Sequence, residues 1–137
     1  MSTGAELLVK TVRAIEKNTY REVPQSEVEA GDFKHAPKIF KEYCAIDWNL
    51  PAQKVYNLIR GLSPYPTAFC TFQDKTLKIF NGKLELTEPR VSTGDFLSDR
   101  KTYIKFACAD GFISVTDVQL EGKKRMGVEE FLRGVRI

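Results

Sequence analysis

Lys101-Thr-Tyr-Ile-Lys-Phe-Ala-Cys-Ala109 and Phe112-Ile-Ser-Val-Thr-Asp-Val-Gln-Leu120 stand on either side of Asp110-Gly111. Two strand-forming runs around Asp-Gly predict a β-hairpin with a type I′ turn. The period of two continues upstream. Ala68 to Gln73 places Phe69, Thr71 and Gln73 on one face and Ala68, Cys70 and Phe72 on the other. Asp74-Lys75 turns the chain into Thr76–Phe80. Asn81-Gly82 is locally a second turn signal before Lys83–Leu86.

Helical spacing brackets these strands. Residues 3–17 carry Ala5, Leu8, Val12 and Ile15 on one stripe, with Thr3 and Glu6 as a T-x-x-E capping box and Asn18 as a stop. Val55, Leu58, Ile59 and Leu62 stripe a helix of about ten residues. Asn49 or Pro51 opens it and Gly61 to Pro64 closes it. Val128, Phe131, Leu132 and Val135 stripe a final turn or two. Between Tyr20 and Pro37 the pattern dissolves into an acidic stretch with Pro24 and Gly31, read as a linker. Several short strands with one helix among them suggest a small closed β-barrel or a sandwich. A barrel of the oligonucleotide-binding type suits about 100 residues.

Composition excludes more than it assigns. The chain has 137 residues, 42% of them hydrophobic and 28% charged, which is too apolar for a disordered tail. The net charge is +3, but it is uneven: residues 1–34 hold five cations and six acids, and the remainder sixteen and twelve. No apolar run approaches the ~20 residues that span a bilayer, and the N-terminus lacks the pattern of a signal peptide. Cys44, Cys70 and Cys108 are widely spaced among apolar neighbours, without a CxxC. They read as reduced core thiols in a cytoplasmic protein rather than as zinc or redox ligands. His35 is the single histidine, placed in the linker with an exposed, indifferent role. No nucleophile, base and orienting residue fall together, and Asp47 and Asp110 do not form a catalytic pair.

The densest positive charge is Gly122-Lys-Lys-Arg-Met126, with Arg133 and Arg136 extending it. Three adjacent cations suit contact with a phosphate backbone, and equally a solvated loop. Tyr56, Tyr65 and Tyr103 read either as stacking platforms for bases or as packing residues. Trp48 reads as a packing anchor.

Several of these segments fall into an ordered set: Ala36-Pro-Lys-Ile39, Ile46-Asp47-Trp48, Asn57-Leu-Ile-Arg-Gly-Leu-Ser-Pro-Tyr-Pro66 with Ala68-Phe69, and Leu77-Lys-Ile79. Ala109-Asp-Gly111, Gln119-x-x-Gly122-Lys-Lys-Arg-Met126, Phe131-Leu132 and Gly134 complete it. In that order and spacing, residues 36–134 resemble the C-terminal domain of the methionyl-tRNA formyltransferases. The resemblance implies a mainly β fold: a five- to six-stranded OB-like Greek-key barrel with one inserted helix, an N-terminal helix and a short C-terminal helix. It divides the chain into 1–19, the last helix of a catalytic domain; 20–37, an interdomain linker; and 38–137, a tRNA-binding barrel. It implies a parent enzyme that passes a formyl group from 10-formyltetrahydrofolate, its co-substrate, to methionyl-initiator-tRNA. The catalytic Asn, His and Asp belong to a half with no match here. The chain is therefore expected to be non-catalytic, with no cofactor, metal or membrane of its own. Its expected partners are the tRNA acceptor arm and the catalytic domain.

Carried over position by position, the family's RNA contacts fall on Lys123, Lys124 and Arg125 in the basic loop, on Lys38 and Lys41 at the start of the barrel, and on Arg60. For Arg60, pairing with a carboxylate is an equal reading. The alternative function is the corresponding domain of a formyltransferase for a sugar nucleotide or folate, serving as a structural or interface module. The sequence departs from the family at Thr67, where many relatives carry Gly, and at Gly127, where they often cap the last helix with Ser. Leu77–Leu86 becomes one strand, which turns Asn81-Gly82 into a bulge. The apolar stripe of residues 3–17 is expected to be covered by another copy or by the barrel.

Overall fold

The computed structural model describes residues 2–24 and 36–136. His35 and most of the expected linker lie outside the described residues. The chain divides into two units, Met1–Pro37 and Lys38–Ile137. The first holds α1, Ser2–Glu16. Because α1 begins at Ser2, Thr3 lies inside its first turn and is not the N-cap that the T-x-x-E pattern predicts. Asn18 does end the helix: it takes φ 56°, and its N–H and that of Thr19 return to the carbonyls of Ile15 and Ala14. Leu8, Val12 and Ile15 are exposed, so residues 2–24 provide no cover for the stripe among themselves.

The second unit is a curled antiparallel sheet. Its strands are β1 (Ala68–Phe72), β2 (Lys75–Glu85), β3 (Phe96–Ser98), β4 (Ile104–Ala107), β5 (Phe112–Leu120) and β6 (Met126–Gly127). The order is β1-β2-β5-β4-β3, with β6 beside the later half of β5. Strands β5, β4 and β3 are consecutive neighbours, and β2 lies against β5, which is a Greek key. The ladder does not join β1 to β3, so the expected barrel is open at that seam. Side chains fill it. Phe72 of β1 meets Phe96 of β3 at 5.3 Å between ring centroids and Phe131 of the C-terminal helix at 5.8 Å.

Alternation explains the core. In β1 Ala68, Cys70 and Phe72 are buried, as the faces predicted. Strand β2 runs unbroken through Asn81-Gly82, where the register against β5 shifts twice, so this is the bulge. A Cβ on Gly82 would sit 3.0 Å from the Ser114 carbonyl oxygen. The β1–β2 turn is Gln73-Asp74, one residue earlier than expected, with φ 49° and 60° at its two positions. This is the type I′ geometry.

The hairpin at Asp110-Gly111 exists, but it is not type I′. Neither residue has positive φ, and the connection is Cys108–Gly111, closed by the Cys108 N–H donating to the Gly111 carbonyl at 2.8 Å. The two residues have other duties. The helix α2 (Ala52–Leu62) starts at Pro51, which offers it no side-chain cap. Asp110 supplies one, its Oδ1 accepting from the Ala52 N–H at 2.7 Å. Gly111 lets the strand end approach β2, since a Cβ there would stand 2.5 Å from the Glu85 carbonyl oxygen. Helix α2 buries Val55, Ile59 and Leu62, with Leu58 half-buried. The last helix, α3 (Val128–Gly134), opens on Gly127 without a side-chain cap and buries Phe131 and Leu132.

Strand β4 is shorter than Lys101–Ala109 because the Asp99 carboxylate collects the backbone N–H groups of Lys101, Thr102 and Tyr103. Those donors are lost to the ladder. The Thr102 hydroxyl also bonds Asp99, and it is the largest cause holding this carboxyl well below its ordinary range, ahead of the backbone donors. A carboxyl depressed on folding contributes stability above its unfolded pKa, and the contribution fades as pH falls through the folded value. The urea midpoint is expected to fall more steeply below about pH 4 in the wild type than in Asp99→Ala. Parallel curves would show that the loop adds nothing.

Cys44, Cys70 and Cys108 are free and buried, as expected of core thiols. Burial pushes Cys70 and Cys108 up to about 12, with the Asp110 charge adding at Cys108. Trp48 anchors the core by stacking on Phe106 at 4.8 Å. Among the described residues no helix is long and apolar enough to cross a membrane, and no group of three metal-ligating side chains occurs.

Candidate nucleic-acid interface

The outer face of the sheet carries one cross-strand row: Phe69 on β1, Lys78 on β2 and Gln119 on β5 are direct neighbours. Period two turns these residues outward while Cys70, Leu77 and Leu120 turn in. The row floors a groove of about 610 Å³. Ile39 and Lys41 stand on one rim, Tyr65 and Pro66 on another, and Glu121-Gly122 also line it. Lys41 reaches over the Phe69 ring at 6.0 Å. Among the described residues neither the Lys41 nor the Lys78 ammonium has a carboxylate within salt-bridge distance. Glu121 is engaged, its Oε2 accepting from the Thr76 N–H at 2.9 Å. That bond chiefly, then the Thr76 hydroxyl and the charges of Lys75 and Lys41, holds its carboxyl below the usual range.

The basic loop leaves the groove at Gly122, where φ is +77°. Gln119 joins the two, its Nε2 donating to the Lys123 carbonyl at 2.9 Å. The three loop cations then diverge in role. Arg125 is tied down: Nε donates to both Asp117 carboxylate oxygens at 3.0 and 2.9 Å, Nη2 also pairs with Asp117, and the guanidinium lies over Phe80 at 4.2 Å. Such a forked, stacked contact fixes an arginine far better than a lysine. Lys123 donates to the Gly134 carbonyl at 3.1 Å, at the end of α3 where the helix dipole favours a cation. Lys124 faces Glu130 at 3.5 Å, but both side chains are well exposed, so the pair is worth about 0–1 kcal/mol.

The remaining cations separate. Lys38 lies over Phe40 at 5.7 Å at the start of the unit. Arg60 is exposed on α2 and stacks over Tyr56 at 5.4 Å; among the described residues it pairs with no carboxylate, and it does not line the groove. Arg133 pairs with Glu129 one helical turn away. The structure thus brings Lys41 together with the beginning of the basic loop and leaves Arg60 apart. Lys78 and Gln119 were missed by sequence reasoning. Strand alternation carried across from Leu77 and Ile79 would have marked Lys78 as outward.

The architecture is a curled Greek-key sheet with an outward cationic groove. Residues 38–136 match the family model described as the formyl transferase C-terminal domain. The chain belongs to that family. It is 43% identical over 143 residues to the methionyl-tRNA formyltransferase of Bacteroides thetaiotaomicron, and 36% identical over 137 residues to that of Clostridium acetobutylicum. Both alignments cover 100% of this chain, but only 44% and 43% of those proteins, so the chain spans less than half the length of these relatives. Among solved structures, HypX from Aquifex aeolicus in complex with tetrahydrofolic acid shares the fold. Its TM-score is 0.66 at 20% identity, over 95% of this chain and 23% of that one. A HypX variant gives 0.67 at 20% identity, over 96% and 24%.

Proposed function

We propose that this chain is the tRNA-seating part of a methionyl-tRNA formyltransferase working in the cytoplasm at translation initiation. Formyl transfer from 10-formyltetrahydrofolate falls to catalytic groups outside the chain, and residues 38–137 hold the acceptor arm of the initiator tRNA. Residues 1–19 belong with the catalytic half, and residues 20–37 link the two. The observation that carries this reading is the groove cations Lys41 and Lys78, which have no salt-bridged carboxylate among the described residues and are continuous through Gly122 with Lys123 and Lys124. Lys38 adds charge at the start of the unit. Arg125, tied to Asp117, keeps the loop in place and is a positioning residue. Phosphate contacts of this sort orient the RNA without reading its bases.

Titrating the 137-residue chain with tRNA at several salt concentrations tests the reading. With three to five phosphates neutralised, log K is expected to fall with log salt at a slope of roughly −3 to −4. Changing Lys123, Lys124 and Arg125 together to Ala is expected to weaken binding and flatten the slope. Binding no tighter than that of an unrelated protein of equal net charge would reduce the domain to a structural prop.

A further inference from the structure

Tyr65 is 89% exposed, yet the backbone beneath it is closely held. It stands between Pro64 and Pro66, whose rings fix φ. The loop is then closed by Thr67, whose N–H donates to the Leu62 carbonyl at 2.9 Å and whose hydroxyl donates to the Pro64 carbonyl at 2.5 Å. Thr67 is buried at φ +78°, a conformation that opposes a β-branched side chain. Strain of this kind persists where surrounding contacts over-determine it, and it clusters at binding sites. The outcome is a large ring held out into water over a groove that also offers two ammonium groups.

A ring offered to solvent has an open π-face, and a base can stack on it only if it is itself unstacked; bases within a helix cover one another. The groove volume of about 610 Å³ falls in the small-ligand range and has no room for a duplex. Its polar lining suits a nucleotide rather than a lone anion. Lys41 and Lys78 complement a phosphate. The Glu121 carboxylate is an acceptor for an exocyclic amino group, the geometry by which Glu reads cytosine. We infer that the groove takes one unpaired nucleotide of the bound RNA, with the base on Tyr65 and the phosphate at Lys41 and Lys78. This rests on the RNA-binding reading above and adds to it a preference for a single-stranded segment over helical backbone.

The test uses the whole chain and two labelled probes read by fluorescence anisotropy: an unpaired RNA hexanucleotide of mixed sequence and a blunt-ended RNA duplex of two annealed strands. Tyr65→Ala is expected to weaken hexanucleotide binding about 5- to 150-fold, from the usual worth of one base–aromatic stack. Its salt slope should not change, since no charge is removed, and duplex affinity should not change. Tyr65→Phe keeps the ring and should bind like wild type. Because Tyr65 is so exposed, the melting temperature of Tyr65→Ala should match the wild type, which separates a missing stack from a damaged fold. If tRNA binds but the hexanucleotide does not, or binds equally well to Tyr65→Ala, the groove is not a nucleotide site, although the tRNA reading survives. If neither tRNA nor hexanucleotide binds, the functional reading fails and takes this inference with it.

Discussion

Replacing Phe106 with alanine is expected to destabilise the barrel by about 3–5 kcal/mol, the usual cost of removing a buried aromatic ring. Phe106 is 2% exposed on β4, a strand of only four residues. Trp48 stacks on its ring nearly parallel, at 4.8 Å and 13°, while Phe72 and Phe96 approach at 6.2 and 6.1 Å. These last two belong to β1 and β3, the strands between which the ladder is open. The ring therefore joins the two sides of the seam where no backbone hydrogen bonds do. Its removal opens a cavity and also slackens the packing between the two edges. The melting temperature should fall by more than about 10 °C, since each kcal/mol is worth about 4–8 °C in a domain of this size. Phe106→Leu keeps most of the volume and should cost far less. A loss for Phe106→Ala below about 2 kcal/mol, the low end for core truncations to alanine, would mean that the site collapses freely and the seam does not depend on it.

The second large effect is on RNA. With Lys41→Ala and Lys78→Ala combined, the salt slope for tRNA should become shallower by about 0.7, for the one single-stranded phosphate no longer neutralised. At about 0.1 M salt this corresponds to roughly 5-fold weaker binding. Both side chains are exposed, so stability should stay within about 0.5 kcal/mol of wild type. Arg60→Ala serves as a comparison, because Arg60 has the same charge but lies outside the groove. Equal losses from Arg60→Ala and from either lysine would point to diffuse attraction by net charge and would falsify a localized groove.

The sequence made the framework legible where burial imposes a period. The faces of β1, the stripe of α2 and the passage of β2 through Asn81-Gly82 all follow from side chains that must alternate or recur. What escaped was local and polar. The three residues of β3 are too few to show a period, and the two of β6 fewer still. Asp-Gly at 110–111 predicted a hairpin correctly but gave a wrong reason for it. The turn does not need positive φ there; a helix start needs a carboxylate and a strand end needs a missing Cβ. Both requirements come from residues far off in the chain. The same limit applies to the site. Lys41 was legible as a cation near the start of the barrel, but its meeting with Lys78 and Tyr65 depends on three elements converging. The basic run at 123–125 looks uniform in sequence and is not, because Asp117 and Phe80 occupy Arg125 and leave Lys124 nearly unencumbered.

The Asp110 cap on α2 has a bearing on the groove. Helix α2 is a rod of 11 residues, about 16 Å long. Its first turn is pinned by a carboxylate borrowed from a hairpin 58 residues downstream, and its last runs straight into Pro64-Tyr65-Pro66. The tyrosine is thus carried at the far end of a rod whose start is fastened by a residue that does not line the groove.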